Sequence, residues 1–208
     1  MTGSPARRVD LVVLLHGVGA CGENLAPLGR AWARRFDGVH FTAPDAPFTF
    51  DDDPALRQWY SLTGVMPENR AGRVTAAAAA FDAVIDAEIA RARTTTERTM
   101  LVGFSQGGSM ALDAVVRGRG FAGLLALSTR LATAPSRRLD GLPLRVVHGD
   151  ADGAVPFHEG ERIRDAFAAV GARVDLVRIP RGDHGIGPAT ARAGLAFLRE
   201  IVEGTVVG

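Results

Sequence analysis

Short apolar runs punctuate this chain, and longer stretches of helical periodicity separate them. Val9-Asp-Leu-Val-Val-Leu-Leu15 is nearly continuous in apolar character, as expected of a strand buried on both faces. Comparable runs follow at Val39–Thr42, Met100–Phe104, Phe121–Leu127, Leu144–His148 and Arg173–Ile179. Between them the spacing predicts helices over about 24–36, 71–93, 106–117, 157–170 and 188–202. The second of these places Val74, Phe81, Ile85 and Ile89 on its core face. Strands alternating with helices imply a right-handed, doubly wound and mostly parallel sheet flanked by helices. In such sheets, sites form beyond the carboxyl ends of the strands.

One stretch resists this pattern. Two prolines in Ala43-Pro-Asp-Ala-Pro47 enforce a loop, and Phe48 to Asn69 shows no sustained period. Connections of that length are usually functional or disordered. Trp59, Tyr60 and Met66, with Phe48 and Phe50, are either core or the lining of an acyl pocket. Their place on a long segment near the strand ends favours the second reading.

Composition narrows the class. A chain of 208 residues, 47% hydrophobic and 23% charged, fits one α/β domain over 1–208, with no insertion large enough for a cap domain. The net charge of +1, with signs interspersed, argues against a nucleic-acid or anionic-membrane partner. The basic side chains other than histidine are all arginine, a bias from which no function follows. Cys21 is alone, so no internal disulfide is expected, and neither the cysteine nor the histidines show metal-ligand spacing. Met1 to Asp10 lacks a signal-type apolar core, and Leu11–Leu15 is too short to span a bilayer. A cytoplasmic protein is expected, with neither cofactor nor metal.

The chemistry concentrates at three strand ends. Gly103-Phe-Ser-Gln-Gly107 follows an apolar run and precedes a helical segment, the setting in which G-x-S-x-G holds a serine on a sharp turn. Gly103 and Gly107 remove side chains where strand and helix cross, and the helix start aims unpaired N–H groups at a developing oxyanion. A serine needs a base, and the base needs an orienting carboxylate. The run ending at His148 leads into Gly149-Asp-Ala-Asp152, which offers Asp150 or Asp152. The run ending at Ile179 leads into Pro180-Arg-Gly-Asp-His184. Nucleophile, acid and base thus appear in the order found in hydrolases of this strand–turn–helix type. Asp183 reads as a turn residue, His16 as a brace for its loop, and His148 as structural. His40 and His158 read as surface or packing residues.

A competing pattern lies at the first strand end. Gly17-Val-Gly-Ala-Cys-Gly22 is a formal G-x-G-x-x-G between strand and helix, with Asp45 after the second strand. A dinucleotide site would need that acid at the strand tip, whereas Asp45 lies beyond Pro44. It would also leave Ser105, His184 and the acid at Asp150 or Asp152 without a role.

Taken together, Leu15-His-Gly-Val-Gly19, Ala43-Pro-Asp-Ala-Pro47, Arg57-Gln-Trp-Tyr60, Gly103-Phe-Ser-Gln-Gly-Gly108, His148 to Pro156 and His184-Gly-Ile186 resemble an α/β-hydrolase of the phospholipase/carboxylesterase, acyl-protein thioesterase-like, family. The resemblance extends over nearly the whole chain. It implies Ser105 as nucleophile, His184 as general base, and Asp152 as the acid of the family's H-G-x-x-D-x-x-V-P pattern. It also implies an oxyanion hole from the backbone N–H groups of Val18 and Gln106, and it suggests a homodimer. Arg181-Gly182-Asp183 departs from the small or apolar residues expected before the histidine. The implied activity is hydrolysis of carboxyl esters, short or medium acyl or lysophospholipid-like, through an acyl-enzyme. Acyl-protein thioesterase activity, or a hydrolase-fold binding protein without turnover, are the alternatives.

Overall fold

The computed structural model describes residues 9–204. The reading of the first ten residues therefore falls, over residues 1–8, outside the described residues, as do residues 205–208. Six strands form one parallel sheet: β1 (Leu11–Leu15), β2 (His40–Thr42), β5 (Thr99–Phe104), β6 (Gly123–Leu127), β7 (Pro143–Gly149) and β8 (Arg173–Ile179). Their order across the sheet is β2-β1-β5-β6-β7-β8, so the winding reverses between β1 and β5. That reversal opens a crevice at the carboxyl ends of these two strands.

Alternate residues of each strand serve opposite faces. On β1, Leu11, Val13 and Leu15 join a core with Trp59, Phe81, Ile85, Met110 and Phe167. Val12 and Leu14 join a second core with Trp32, Phe197 and Leu198. Helices α2 (Pro67–Arg91), α3 (Gln106–Val116) and α4 (His158–Ala169) thus cover one face, and α1 (Ala26–Ala33) and α5 (Pro188–Glu203) cover the other. Burial on both sides is why the strands read as continuous apolar runs. Among the described residues no helix is long and apolar enough to cross a membrane.

Three differences from the sequence reading have local causes. The segment taken as loop contains a short antiparallel hairpin, β3 (Phe48–Thr49) with β4 (Arg57–Gln58). Helix α2 begins at Pro67 rather than near Ala71, with proline in its first turn, where its missing N–H costs nothing. Its entry is closed from inside: the N–H of Met66 donates to Asn69 Oδ1 at 2.9 Å. The first predicted helix divides into a 3-10 turn at Gly22–Asn24 and then α1, whose start carries Pro27. On α2, Val74, Phe81 and Ile85 are fully buried, while Ile89 packs at the core margin.

Candidate active site

Strand β5 delivers its chain into a turn with little freedom. Ser105 has φ 51° and ψ −116°, a sparsely populated conformation costing on the order of 1–3 kcal/mol. The surroundings hold it there. Its N–H donates to Leu127 O at 2.9 Å, and its carbonyl accepts from the Thr129 hydroxyl at 2.6 Å and the Ser109 N–H at 3.1 Å. The flanking glycines are required by space. A Cβ on Gly103 would lie 2.4 Å from Gly108 Cα, and one on Gly107 would lie 2.5 Å from Leu15 O. Both distances are below any real carbon contact.

The loops after β7 and β8 bring their side chains to this serine. His184 Nε2 lies 3.0 Å from Ser105 Oγ, and His184 Nδ1 lies 2.8 Å from Asp152 Oδ2. With a carboxylate facing Nδ1, that nitrogen carries the proton and Nε2 accepts from the serine hydroxyl. Asp152 Oδ1 accepts the N–H groups of Ala154 at 2.9 Å and Val155 at 2.8 Å. Burial alone would raise the Asp152 carboxyl. The Val155 N–H, the His184 ring and the Ala154 N–H outweigh it and hold the group below the ordinary carboxylate value.

Of the two acids the sequence left open, Asp152 meets His184. Asp150 accepts instead from Arg178 Nε at 2.8 Å, and Arg178 with the Arg181 N–H holds its carboxyl below the usual range. His148 is fully buried, with Nε2 donating to Val155 O at 2.8 Å. That bond ties strand β7 to the backbone segment that grips Asp152.

On the other side of the crevice, Val18 and Gln106 line the same cavity as Ser105 and His184, a space of about 460 Å³. Neither backbone N–H has an acceptor among the described residues. The Val18 loop is braced from behind. Neutral His16 donates Nδ1–H to Gly17 O and accepts the Ala46 N–H at Nε2, 2.9 Å away; burial foremost holds its pKa down. Gly19 N–H donates to Arg57 O and Arg57 N–H to Ala20 O, so the hairpin clamps the loop. The formal dinucleotide motif is occupied by the same packing. A Cβ on Gly22 would sit 1.9 Å from Ala43 O, and Asp45 Oδ1 accepts the Gly22 N–H at 2.7 Å.

Among the aromatic and apolar residues expected around an acyl group, Tyr60 lines the cavity. Trp59 does not: it is fully buried against Phe81 and His16, and its indole N–H donates to His16 O at 2.8 Å. Met66 does not line it either, standing 58% exposed before α2. Leu62, Val65, Arg70, Ser109 and Arg130 line the cavity without having been singled out in the sequence. The Gln106 side chain was also missed. Its Oε1 accepts the Trp59 N–H at 2.8 Å and its Nε2 donates to Tyr60 O at 2.7 Å, fixing the hairpin exit to the start of α3.

A sequence model of the phospholipase/carboxylesterase family matches residues 3–201. The chain belongs to that family. As a phospholipase/carboxylesterase family member it is a hydrolase acting on ester bonds. It is 27% identical over 192 residues to esterase YpfH of Escherichia coli strain K12, covering 91% of this chain and 82% of that one. It is 29% identical over 204 residues to acyl-protein thioesterase 1 of Neurospora crassa, covering 86% of this chain and 81% of the relative. Among solved structures, esterase PE8 superposes with a TM-score of 0.84 at 29% identity, covering 94% of both chains. The Bacillus cereus carboxylesterase, at 13% identity, shares the fold with a TM-score of 0.78, over 97% of this chain and 92% of that one.

Proposed function

We propose that the protein is a serine esterase whose catalytic residues are Ser105, His184 and Asp152. The observation that carries this reading is the hydrogen-bonded line from Ser105 Oγ through His184 to Asp152, at 3.0 and 2.8 Å. Ser105 attacks the ester carbonyl as His184 Nε2 takes its proton. The Val18 and Gln106 N–H groups receive the developing oxyanion, and Asp152 holds the imidazole tautomer and stabilises the imidazolium. His184 then protonates the leaving alkoxide, and water, activated by the same histidine, releases the acid from the acyl-enzyme. No step in this sequence calls for a cofactor or metal.

Tyr60, Leu62 and Val65 supply the apolar wall for a short or medium acyl group. The same groups would cleave a thioester, and the likeness to an acyl-protein thioesterase favours that as the second reading. We take residues 1–208 as one domain, since both cores lie on faces of a single sheet. A homodimer is part of this reading on the family resemblance; Phe48, Leu62 and Met66, exposed large apolar side chains among the described residues, all fall within the 48–66 segment. The test of the catalytic reading is kcat/KM for 4-nitrophenyl butyrate in wild type and Ser105→Ala. The expected loss is on the order of 10⁶-fold in kcat, as when a triad nucleophile is removed. Substantial turnover by the variant would refute it.

A further inference from the structure

The walls of the cavity carry a charge pattern that hydrolysis of a neutral ester does not use. Two arginines, Arg70 and Arg130, line it together with Ser105 and His184, and no carboxylate lies among its lining residues. Both are half-buried. Several arginines of this protein pair with acids, Arg117 with Asp82 and Asp113, Arg145 with Asp175 and Glu200, Arg178 with Asp150, while others, such as Arg57 and Arg73, bond a hydroxyl or a carbonyl instead. Arg70 and Arg130 have no carboxylate partner among the described residues.

Arg130 is held in place. Its carbonyl accepts from the Ser109 hydroxyl at 2.8 Å, and one Nη donates to Ala154 O at 2.8 Å. A guanidinium has five N–H donors, so most of its capacity remains for something else. Arg70 is the fourth residue of α2, in the turn where the backbone already presents partial positive charge. A cation at that end is unfavourable by itself. Glu68 shares the turn but is exposed and does not line the cavity. An adjoining hollow of about 100 Å³ is bounded by the same two arginines with Arg162 and Glu159, and these last two pair with each other at 3.4 Å. Both arginines thus border the substrate space with no ion-pair partner of their own among the described residues.

We propose that Arg70 and Arg130 form an anion subsite, so that the preferred substrate is an ester carrying a second, negatively charged group, a carboxylate or a phosphate. This deepens the serine-esterase reading and rests on it for turnover. Two half-buried guanidinium groups bind such a group with charge-assisted, bidentate hydrogen bonds. They also raise the local concentration of anionic esters over neutral ones.

The test compares kcat/KM for 4-nitrophenyl butyrate, the 4-nitrophenyl monoester of glutarate, and a 4-nitrophenyl ester ending in a phosphate. It uses wild type, Arg70→Gln, Arg130→Gln and the double variant, each checked for folding by circular dichroism. The anionic-to-neutral ratio should be about tenfold or more in wild type, fall toward one in the double variant, and shrink with added KCl. The charge-reversed Arg70→Glu should bring it below one. The better of the two anions names the source of the charge. A wild-type ratio at or below one, or a ratio unmoved by the double variant, overturns the proposal. A separate readout needs no chemistry: calorimetric titration of glutarate and of inorganic phosphate into wild type and the double variant. Binding that the double variant loses supports the subsite even if no ester is turned over, an outcome that would instead sink the esterase reading. Binding equal in both, or absent from wild type, overturns the subsite.

Discussion

Gly149 and Gly182 meet back to back: a Cβ on Gly149 would lie 2.2 Å from the Gly182 carbonyl oxygen. The Ala151 N–H then donates to Gly182 O at 2.9 Å, joining the loop that carries Asp152 to the loop that carries His184. The Arg181-Gly182-Asp183 sequence, unexpected before the histidine, thus keeps the one small residue this crossing needs. Arg181 takes the strain, at φ 56°.

Gly149→Ala should therefore separate acid from base while leaving the sheet intact. A displacement near 1 Å of a catalytic group costs about 10²-fold in rate. Steady-state kinetics should show that loss mainly in kcat, with the circular dichroism spectrum unchanged. Full activity would mean the loops tolerate separation and the crossing does not position the pair.

The two aspartates should behave unlike each other. Asp152→Asn removes the carboxylate that fixes the His184 tautomer, and the expected drop in kcat is about 10⁴-fold. Asp150→Asn loses a surface partner of Arg178 and should stay within severalfold of wild type. Measuring both variants on one ester decides between them, and a reversed ranking would reassign the acid.

Removing the Gln106 side chain should damage stability and site together. In Gln106→Ala the Trp59 N–H and Tyr60 C=O, both in buried surroundings, lose their partners. Each orphaned group costs roughly 1–3 kcal/mol. Urea unfolding should show a loss of about 2–6 kcal/mol for the two groups together, with reduced kcat because the hairpin that clamps the Val18 loop is loosened. Unchanged stability would show that the bonds are replaced.

Much of this was legible beforehand, for a definable reason. Strands buried on both faces leave continuous apolar runs, and a chain that must turn sharply at Ser105 has to spend glycines at Gly103 and Gly107. Those constraints act within a few neighbouring residues. The hairpin of 48–58 escaped because its two short strands bury little, and α2 was started late because Asn69, rather than a residue before the helix, closes its entry. Trp59 was placed in the substrate space because its segment borders that space; nothing local says that its ring turns inward onto Phe81. Arg70 and Arg130 come from distant segments and meet only in the fold.

Stability should also respond to pH through His16. Burial lowers its folded pKa below the ordinary 6.5. Above that value both states are neutral and the residue contributes no slope. Below it the unfolded chain takes up a proton that the folded protein refuses, so stability falls as pH falls, by at most about 1.4 kcal/mol per pH unit. His16→Gln should be less stable at pH 7.5 yet lose less between pH 6.5 and 5.5. Urea titrations at these three pH values check it, and parallel slopes for the two proteins would contradict it.

The most direct test of the catalytic assignment is intact mass after brief exposure to a fluorophosphonate, on wild type, Ser105→Ala and His184→Ala. Wild type should carry a single adduct and Ser105→Ala none, while His184→Ala should label more slowly by orders of magnitude. An adduct that persists in Ser105→Ala, or a folded wild type that takes none, would contradict that assignment.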